Sequence, residues 1–270
     1  MKGVNRVKIG IIGTGTISSA LVRGFCTIQE PGCHLEFALS PRNREKAAAL
    51  AEAFPGQVTV CDSNQQVLDV SDWVFLTVIP RLADEILSPL HFRPEQKILT
   101  IMSDHPVRRV REWTGDVTKI VRMVPLPFAA MHIGPIAIFP KDEEVEELFA
   151  PLGKVISLDR EESLSVISAL TAVMSAFYHL IYDTTEWGAE HGLPEEASLE
   201  YMTAFYEALS HKAALAPDGD VKALAYEMTP GGINEMTLRF LLEKDAFELW
   251  KDALDKVWVR LKGSAENSAS

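Results

Sequence analysis

Gly10-Ile11-Ile12-Gly13-Thr14-Gly15-Thr16-Ile17-Ser18 decides the fold. The apolar run before it, Val7 to Ile12, predicts a β-strand, and Thr16 to Thr27 predicts the helix that follows. Between them stands the spacing G-x-G-x-x-S, formed by Gly13, Gly15 and Ser18. Gly13 permits a tight turn, and Gly15 lets the backbone approach a diphosphate closely. The helix N-terminus then offers N–H groups to the anion. Ser18 stands where a third glycine is usual, and its small side chain still allows close helix–strand packing.

Outward from this turn, short β-rich runs alternate with helical patterns. Leu35 to Leu39, Val58 to Cys61, Trp73 to Val78, Ile98 to Met102, Lys119 to Val124 and Ile136 to Phe139 predict further strands, with an Ala-rich helix over Arg42 to Ala53. The runs are continuously apolar, as in strands covered on both faces. The rhythm predicts an α/β domain with a doubly wound, Rossmann-type parallel sheet. After Leu158 long helical patterns take over. Leu164, Ile167, Thr171, Met174, Phe177 and Ile181 recur at helical spacing, and further helices are expected over Glu195–Ala214 and Asn234–Leu261. The expected division is therefore residues 1–159, dinucleotide-binding, and residues 160–270, an all-helical domain.

The second strand ends at Ser40, and Ser40-Pro41-Arg42-Asn43-Arg44 follows. An acidic residue here would suit a ribose diol. A hydroxyl, an amide and guanidinium groups suit a 2′-phosphate instead, because Arg offers paired N–H donors. The expectation is NADP(H) as cofactor.

Of the 270 residues 47% are apolar and 24% charged, which excludes wholesale disorder. Lys plus Arg number 26 against 38 Asp plus Glu, a net charge of −12. That balance argues against nucleic acid or an anionic membrane as partner. The three Cys form no disulfide framework, which points to the cytoplasm. The seven scattered His, with no H-x-x-x-H and no Cys/His cluster, predict no metal site. Ser163 to Tyr182 has the length of a membrane span. Its Ser, Thr, His and Tyr content favours a helix buried inside a soluble fold.

Met228-Thr229-Pro230-Gly231-Gly232-Ile233-Asn234 precedes the last helical pattern. Two glycines ahead of a helix leave backbone N–H groups uncovered, a geometry that can receive a carboxylate. Taken in order, the G-x-G turn, the Ser40 segment, Asn64, Thr77-Val78-Ile79-Pro80, Arg122-Met123-Val124-Pro125 and Thr229-Pro230-Gly231-Gly232 resemble the pyrroline-5-carboxylate reductase family over nearly the whole chain.

That resemblance implies an NADPH-dependent oxidoreductase that moves hydride to the C=N bond of a cyclic imino acid, 1-pyrroline-5-carboxylate, giving proline. It implies a homodimer, or a larger assembly of dimers, with interlocking helical domains. It assigns Gly13, Gly15, Thr16 and Ile17 to the diphosphate, and Ser40, Arg42 and Asn43 to the 2′-phosphate. Asn64 is assigned to the adenosine ribose, and Thr77, Val78 and Pro80 to the nicotinamide ribose. Gly231, Gly232, Ile233 and Asn234 match the Gly-Gly-Thr-Thr that cups the substrate carboxylate, with both threonines replaced. Ile79 stands where the family has Lys, and Val124-Pro125-Leu126-Pro127 lacks the family's Asn. Asn234 is the expected hydrogen-bond donor to the imine nitrogen, with Thr229 and Tyr178 as further catalytic candidates. Asp104-His105, after the fifth strand, is an acid/base candidate by position. His179 is expected to be a satisfied core residue. The cofactor half follows the pattern more closely than the substrate half. A reductase of a different small imine or acid, or a non-catalytic NADP-binding regulatory protein, would also fit the residues.

Overall fold

The computed structural model describes residues 7–28 and 35–267. Cys33 lies outside the described residues. Two compact units are present: the first ends at Ser168 and takes up the chain again at Arg260, and the second is Ala169–Val259.

The first unit alternates strand and helix as the apolar runs require. Its elements are β1 (Lys8–Ile12), α1 (Thr16–Cys26), β2 (Glu36–Leu39), α2 (Arg44–Ala53), β3 (Val58–Val60), α3 (Asn64–Asp69), β4 (Trp73–Leu76), α4 (Ala83–Leu87), β5 (Lys97–Thr100), α5 (Val107–Thr114), β6 (Lys119–Val124), β7 (Pro135–Phe139), α6 (Glu143–Phe149), β8 (Lys154–Ser157) and the greater part of α7 (Glu162–Thr171). The strand order is β3-β2-β1-β4-β5-β6-β7-β8. Every neighbouring pair is parallel except β6 and β7, which run antiparallel. The strand β8, Lys-Val-Ile-Ser, was not expected from sequence. It is a short edge strand with only partial burial, so it lacks the apolar run that marks the central strands.

Alternate strand residues point to opposite faces, and each face carries its own core. Ile9, Phe37, Phe75 and Val121 pack with α1, α2 and α6. Ile12, Val74, Ile98 and Ile120 pack with α3, α4 and α5 on the other side. In the first core Phe149 is fully buried, edge-on to Phe25 at 5.2 Å and tilted to Phe75 at 5.8 Å. Burial on both faces accounts for the uninterrupted apolar runs.

The second unit contains α8 (Met174–Glu190), α9 (Glu195–Ala214), α10 (Val221–Tyr226), α11 (Ile233–Glu243) and the greater part of α12 (Ala246–Asn267). The helices α8 and α9 meet closely where Ser198 Oγ donates to the Thr185 carbonyl at 2.9 Å. A Cβ on Gly188 would lie 2.3 Å from that same Oγ, so only glycine fits there.

Three expectations need correction. The helical pattern from Leu164 to Ile181 is two helices, separated by a turn at Ala172 and Val173. The pattern over Asn234–Leu261 is also divided, because Asp245 takes a left-handed φ of 53° and ends α11. The stretch Glu162–Glu190 is long and apolar enough to cross a membrane by length and composition, but only 11% of its most apolar window is buried. It is therefore not the buried core helix expected from sequence. Phe177, Tyr178, Leu180 and Tyr182 are exposed, and His179, expected in the core, is exposed beside Asp183.

Replacing Phe149 with Ala removes a ring from the tightest part of the first core. The expected cost is about 3–5 kcal/mol, read as a lower urea midpoint at unchanged slope. A change under about 1 kcal/mol would place the ring outside the cooperative core.

Candidate functional site

In an open doubly wound sheet, ligands sit outside the carboxyl ends of the strands where the strand order reverses. Here that point lies between β1 and β4, which are neighbours with β2 on the far side of β1. A cleft of about 490 Å³ opens there. Gly13, Thr14 and Gly15 form its floor, Arg42, Asn43 and Arg44 one wall, and Thr77, Val78 and Ile79 the other.

The turn after β1 is tied down on both sides. Gly13 has a φ of 103°, and a Cβ there would lie 2.8 Å from the Thr77 carbonyl oxygen. Its N–H donates to Ser40 Oγ at 2.9 Å. Its carbonyl accepts from the hydroxyls of Ser18, at 2.9 Å, and of Thr77. Ser18, the residue in place of a third glycine, is buried and also accepts from the Gly15 N–H at 2.7 Å. Nothing lies within 4 Å of where a Gly15 Cβ would stand, so the space above that residue is open. The first N–H groups of α1, at Thr16 and Ile17, have no carbonyl partner within the helix. This cradle fits a diphosphate.

The structure brings Gly13, Gly15, Arg42, Asn43, Thr77 and Val78 together in one cleft. Thr16 and Ile17 open the adjoining helix, and Pro80 starts a short 3-10 turn just beyond Ile79. Two hydroxyls have a different task from the one expected. Ser40 is fully buried, and Thr77 bonds to the Ile12 and Gly13 carbonyls while still lining the cleft, so both help to hold the turn. Asn43 caps α2 by accepting from Lys46 N–H at 3.4 Å. Asn64 opens α3 and does not line the cleft. Thr14, Arg44, Glu45 and Ile79 line it without having been singled out as contacts. Arg44 was visible as the second cation of the Ser40 segment. Neither Arg42 nor Arg44 forms an ion pair among the described residues, and both are exposed.

Asp104-His105 lies at the same edge of the sheet, but His105 is buried. Its Nε2 stands 3.2 Å from the Pro80 carbonyl, so that nitrogen carries the proton. The ring packs 5.1 Å from Trp113, whose Nε1 donates to Asp84 at 2.8 Å. That bond, followed by Arg109, holds the Asp84 carboxyl below the usual carboxylate range. His105 thus steadies the 3-10 turn behind the cleft. Arg122, also buried, donates to Ser103 O at 2.8 Å and to Glu161 Oε1 at 2.7 Å. Glu161 in turn accepts from Val107 N–H at 2.7 Å, which fixes the loop between β5 and α5. Sequence analysis gave neither Arg122 nor Glu161 a role, since the partners are 39 residues apart.

In the second unit, Thr229 and Asn234 flank the Gly231-Gly232 turn, and both are exposed. Gly231 has a φ of 74°, and Gly232 is the N-cap of α11. A Cβ on Gly232 would lie 2.9 Å from the Thr229 carbonyl oxygen. Tyr178 stands on α8, half exposed. Among the described residues no group of three or more His, Cys, Asp or Glu could hold a metal ion.

Comparisons with known proteins agree with this geometry. A family model described as NADP oxidoreductase, coenzyme F420-dependent, matches residues 8–103. A pyrroline-5-carboxylate reductase of Pseudomonas aeruginosa is 24% identical, covering 96% of this chain and 97% of its own. A second, of Staphylococcus haemolyticus, is also 24% identical over 92% of this chain and 94% of its own. The 1-pyrroline-5-carboxylate reductase structure from Streptococcus pyogenes superposes with a TM-score of 0.82 at 24% identity, covering 96% of this chain and 99% of that one. The Plasmodium falciparum pyrroline carboxylate reductase, solved with NADP bound, gives 0.81 at 18% identity, covering 97% and 100%.

Replacing Arg42 with Ala is expected to weaken NADPH binding about 10- to 100-fold, the worth of one charge-assisted contact. NADH binding should change far less. Fluorescence titration of both cofactors measures the ratio, and equal weakening would remove Arg42 from the 2′-phosphate.

Proposed function

Because the chain is similar to pyrroline-5-carboxylate reductases along nearly its whole length, we propose that it is an NADPH-dependent imine reductase. The bond reduced is the C=N of a cyclic imine of the pyrroline-5-carboxylate type. The observation that carries this reading is the cleft at the β1–β4 switch point, with a diphosphate cradle at one end and two uncommitted guanidinium groups at the other. When bound, the nicotinamide supplies the hydride, and NADPH is oxidised to NADP⁺.

The roles of the chain's own residues follow from chemistry. Gly13, Gly15, Thr16 and Ile17 seat the diphosphate through backbone N–H groups, while Ser40 and Thr77 keep the turn in shape. Arg42, with Asn43 and Arg44, takes the 2′-phosphate. Val78 and Pro80 border the nicotinamide ribose, and Asn64 the adenosine ribose. The imine carbon gains the hydride and its nitrogen gains a proton from solvent. An already protonated imine asks for orientation rather than a strong acid. Asn234 donates a hydrogen bond to that nitrogen while the imine is neutral and accepts one from its N–H through Oδ1 once it is protonated, with Thr229 and Tyr178 as the other polar contacts to the substrate. The Gly231–Asn234 turn receives the substrate end remote from the C=N bond. The segment ending at Asp159 serves the dinucleotide, and the helical remainder serves substrate and partner.

The protein acts as a homodimer in the cytoplasm. The dimer is supported by large apolar side chains left exposed on the helices of the second unit: Phe177, Trp187, Tyr201 and Phe205 are each 36–66% exposed. A second copy of the chain is the occupant that covers them, since exposed apolar faces of this size are rare on monomers. The cytoplasm fits the free thiols of Cys26 and Cys61. Burial pushes the Cys26 thiol up to about 12, so it resists oxidation as a thiolate.

Loss of NADPH absorbance with a panel of cyclic imines tests the activity. Turnover of at least one imine, with NADPH preferred over NADH, is the expected result. Tight NADPH binding with no turnover of any imine or keto acid would favour a regulatory protein instead. Light scattering should give twice the 29.9 kDa chain mass. Phe205→Glu should return the mass to one chain by burying a charge in the interface.

A further inference from the structure

The cleft wall on the β4 side runs into a turn that is held from behind. Thr77, Val78 and Ile79 line that wall, and the 3-10 turn Pro80–Leu82 follows it. The Pro80 carbonyl accepts twice. Within the turn it takes the N–H of Ala83, and from outside it takes His105 Nε2 at 3.2 Å. His105 lies in the loop between β5 and α5. The bond therefore ties the turn after one strand to the loop after its parallel neighbour.

That loop is itself fixed at both ends. The Ser103 carbonyl accepts from Arg122 at 2.8 Å, and Val107 N–H donates to Glu161 at 2.7 Å. Between these anchors His105 is buried, its ring 5.1 Å from that of Trp113. Its Nδ1 has no hydrogen-bond partner among the described residues. A buried polar atom without a partner is a cost. An apolar side chain would pack beside Trp113 without that cost. What the histidine adds is the Nε2 donor to Pro80.

The strand order says which part of the site this turn serves. The diphosphate cradle stands at the end of β1, with Arg42 and Arg44 after β2 on one side and the Thr77–Ile79 wall after β4 on the other. A dinucleotide extends from its diphosphate in both directions. With the phosphorylated adenosine ribose at the arginines, the nicotinamide half falls to the β4 side. Ile79, the last residue of the wall, is exposed and offers an apolar surface that a flat ring can cover.

We infer that His105 is a positioning residue for the nicotinamide half of the cofactor: through the Pro80 carbonyl it holds the Val78–Pro80 wall in place without touching the cofactor. This rests on the reading of the cleft as an NADP(H) site and not on which imine is reduced.

The test uses the full chain and two ligands. NADPH fills both halves of the site, whereas adenosine 2′,5′-bisphosphate reaches only the arginines and the cradle. His105→Leu keeps apolar packing beside Trp113 and removes the donor. It should raise the Kd of NADPH about tenfold, the scale of one hydrogen bond, and leave that of the bisphosphate within about twofold. His105→Gln places an amide N–H near the position of Nε2 and should bring NADPH back to within about threefold of wild type. His105→Asn is as polar but too short to reach Pro80, and should behave as the leucine variant does. The Asn–Gln pair carries the comparison alone if His105→Leu does not fold. At saturation, the nicotinamide emission of bound NADPH reports how firmly the ring is held. It should fall in the Leu and Asn variants and recover in the Gln variant. Equal weakening of both ligands, as from a general loosening of the sheet edge, overturns the inference. So does an NADPH affinity that the Leu and Asn variants leave unmoved or that Gln does not restore. Wild type that binds neither ligand sinks the NADP(H) reading of the cleft, and this inference with it.

Discussion

Everything at the cofactor cleft depends on the clamping of Gly13. Its N–H is taken by Ser40, at the end of β2, and its carbonyl by Thr77, at the end of β4. The backbone continues the same bond pattern, with Ser40 N–H on Ile11 O at 2.9 Å and Thr77 N–H on Ile12 O at 3.0 Å. Three strand ends are thereby tied to one residue. No side chain other than hydrogen fits there, because φ is left-handed and Thr77 O is close by. A receptor for a diphosphate works only if its N–H groups are aimed before the ligand arrives. The clamp supplies that aim, which explains why two hydroxyls at the mouth of the site are turned inward.

The charges around the cleft reinforce this. The chain is acidic overall, and several of its cations are paired with carboxylates. Lys97 lies against Asp142 and Glu144, Arg109 against Asp84 and Glu112, and Arg122 against Glu161. Arg42 and Arg44 form no ion pair among the described residues, and both line the wall of one cleft. The first also sits just ahead of a helix N-terminus and the second begins it, where positive charge is mildly unfavourable. Unpaired cations kept at a helix start in an anionic protein form a local attractive field for phosphate. Behind the opposite wall, His105 and the Arg122–Glu161 pair hold the loops after β4 and β5 without entering the cleft.

The sheet was legible because central strands covered on both faces leave apolar runs, and seven of its eight strands were read from sequence, including the edge strand β3, Val-Thr-Val, where only Val58 is buried. Lys154–Ser157 escaped notice because an edge strand has no such need. The glycine turn was legible because the backbone itself requires glycine. Ser40 and Thr77 were assigned to ligand because a sequence shows that a hydroxyl is present and not which way it points. Exposure of α8 was illegible for a related reason. Recurrence at three and four residues shows that a helix has an apolar face. It does not show whether that face is covered by the same chain or by another.

The Gly231-Gly232 turn shows most sharply where pattern reading ends. Two glycines before a helix describe a backbone with N–H groups in reach, and that backbone serves equally as a binding site or as a closed cap. The third residue of the helix bears on the choice, since a glutamate there can reach back to the preceding N–H groups. Glu235 does so, one residue beyond the four-residue pattern that suggested a carboxylate receptor. A pattern that stops at Asn234 therefore sees an open cup. Including the next side chain shows that one of its N–H groups, at Gly231, is already taken from within the chain.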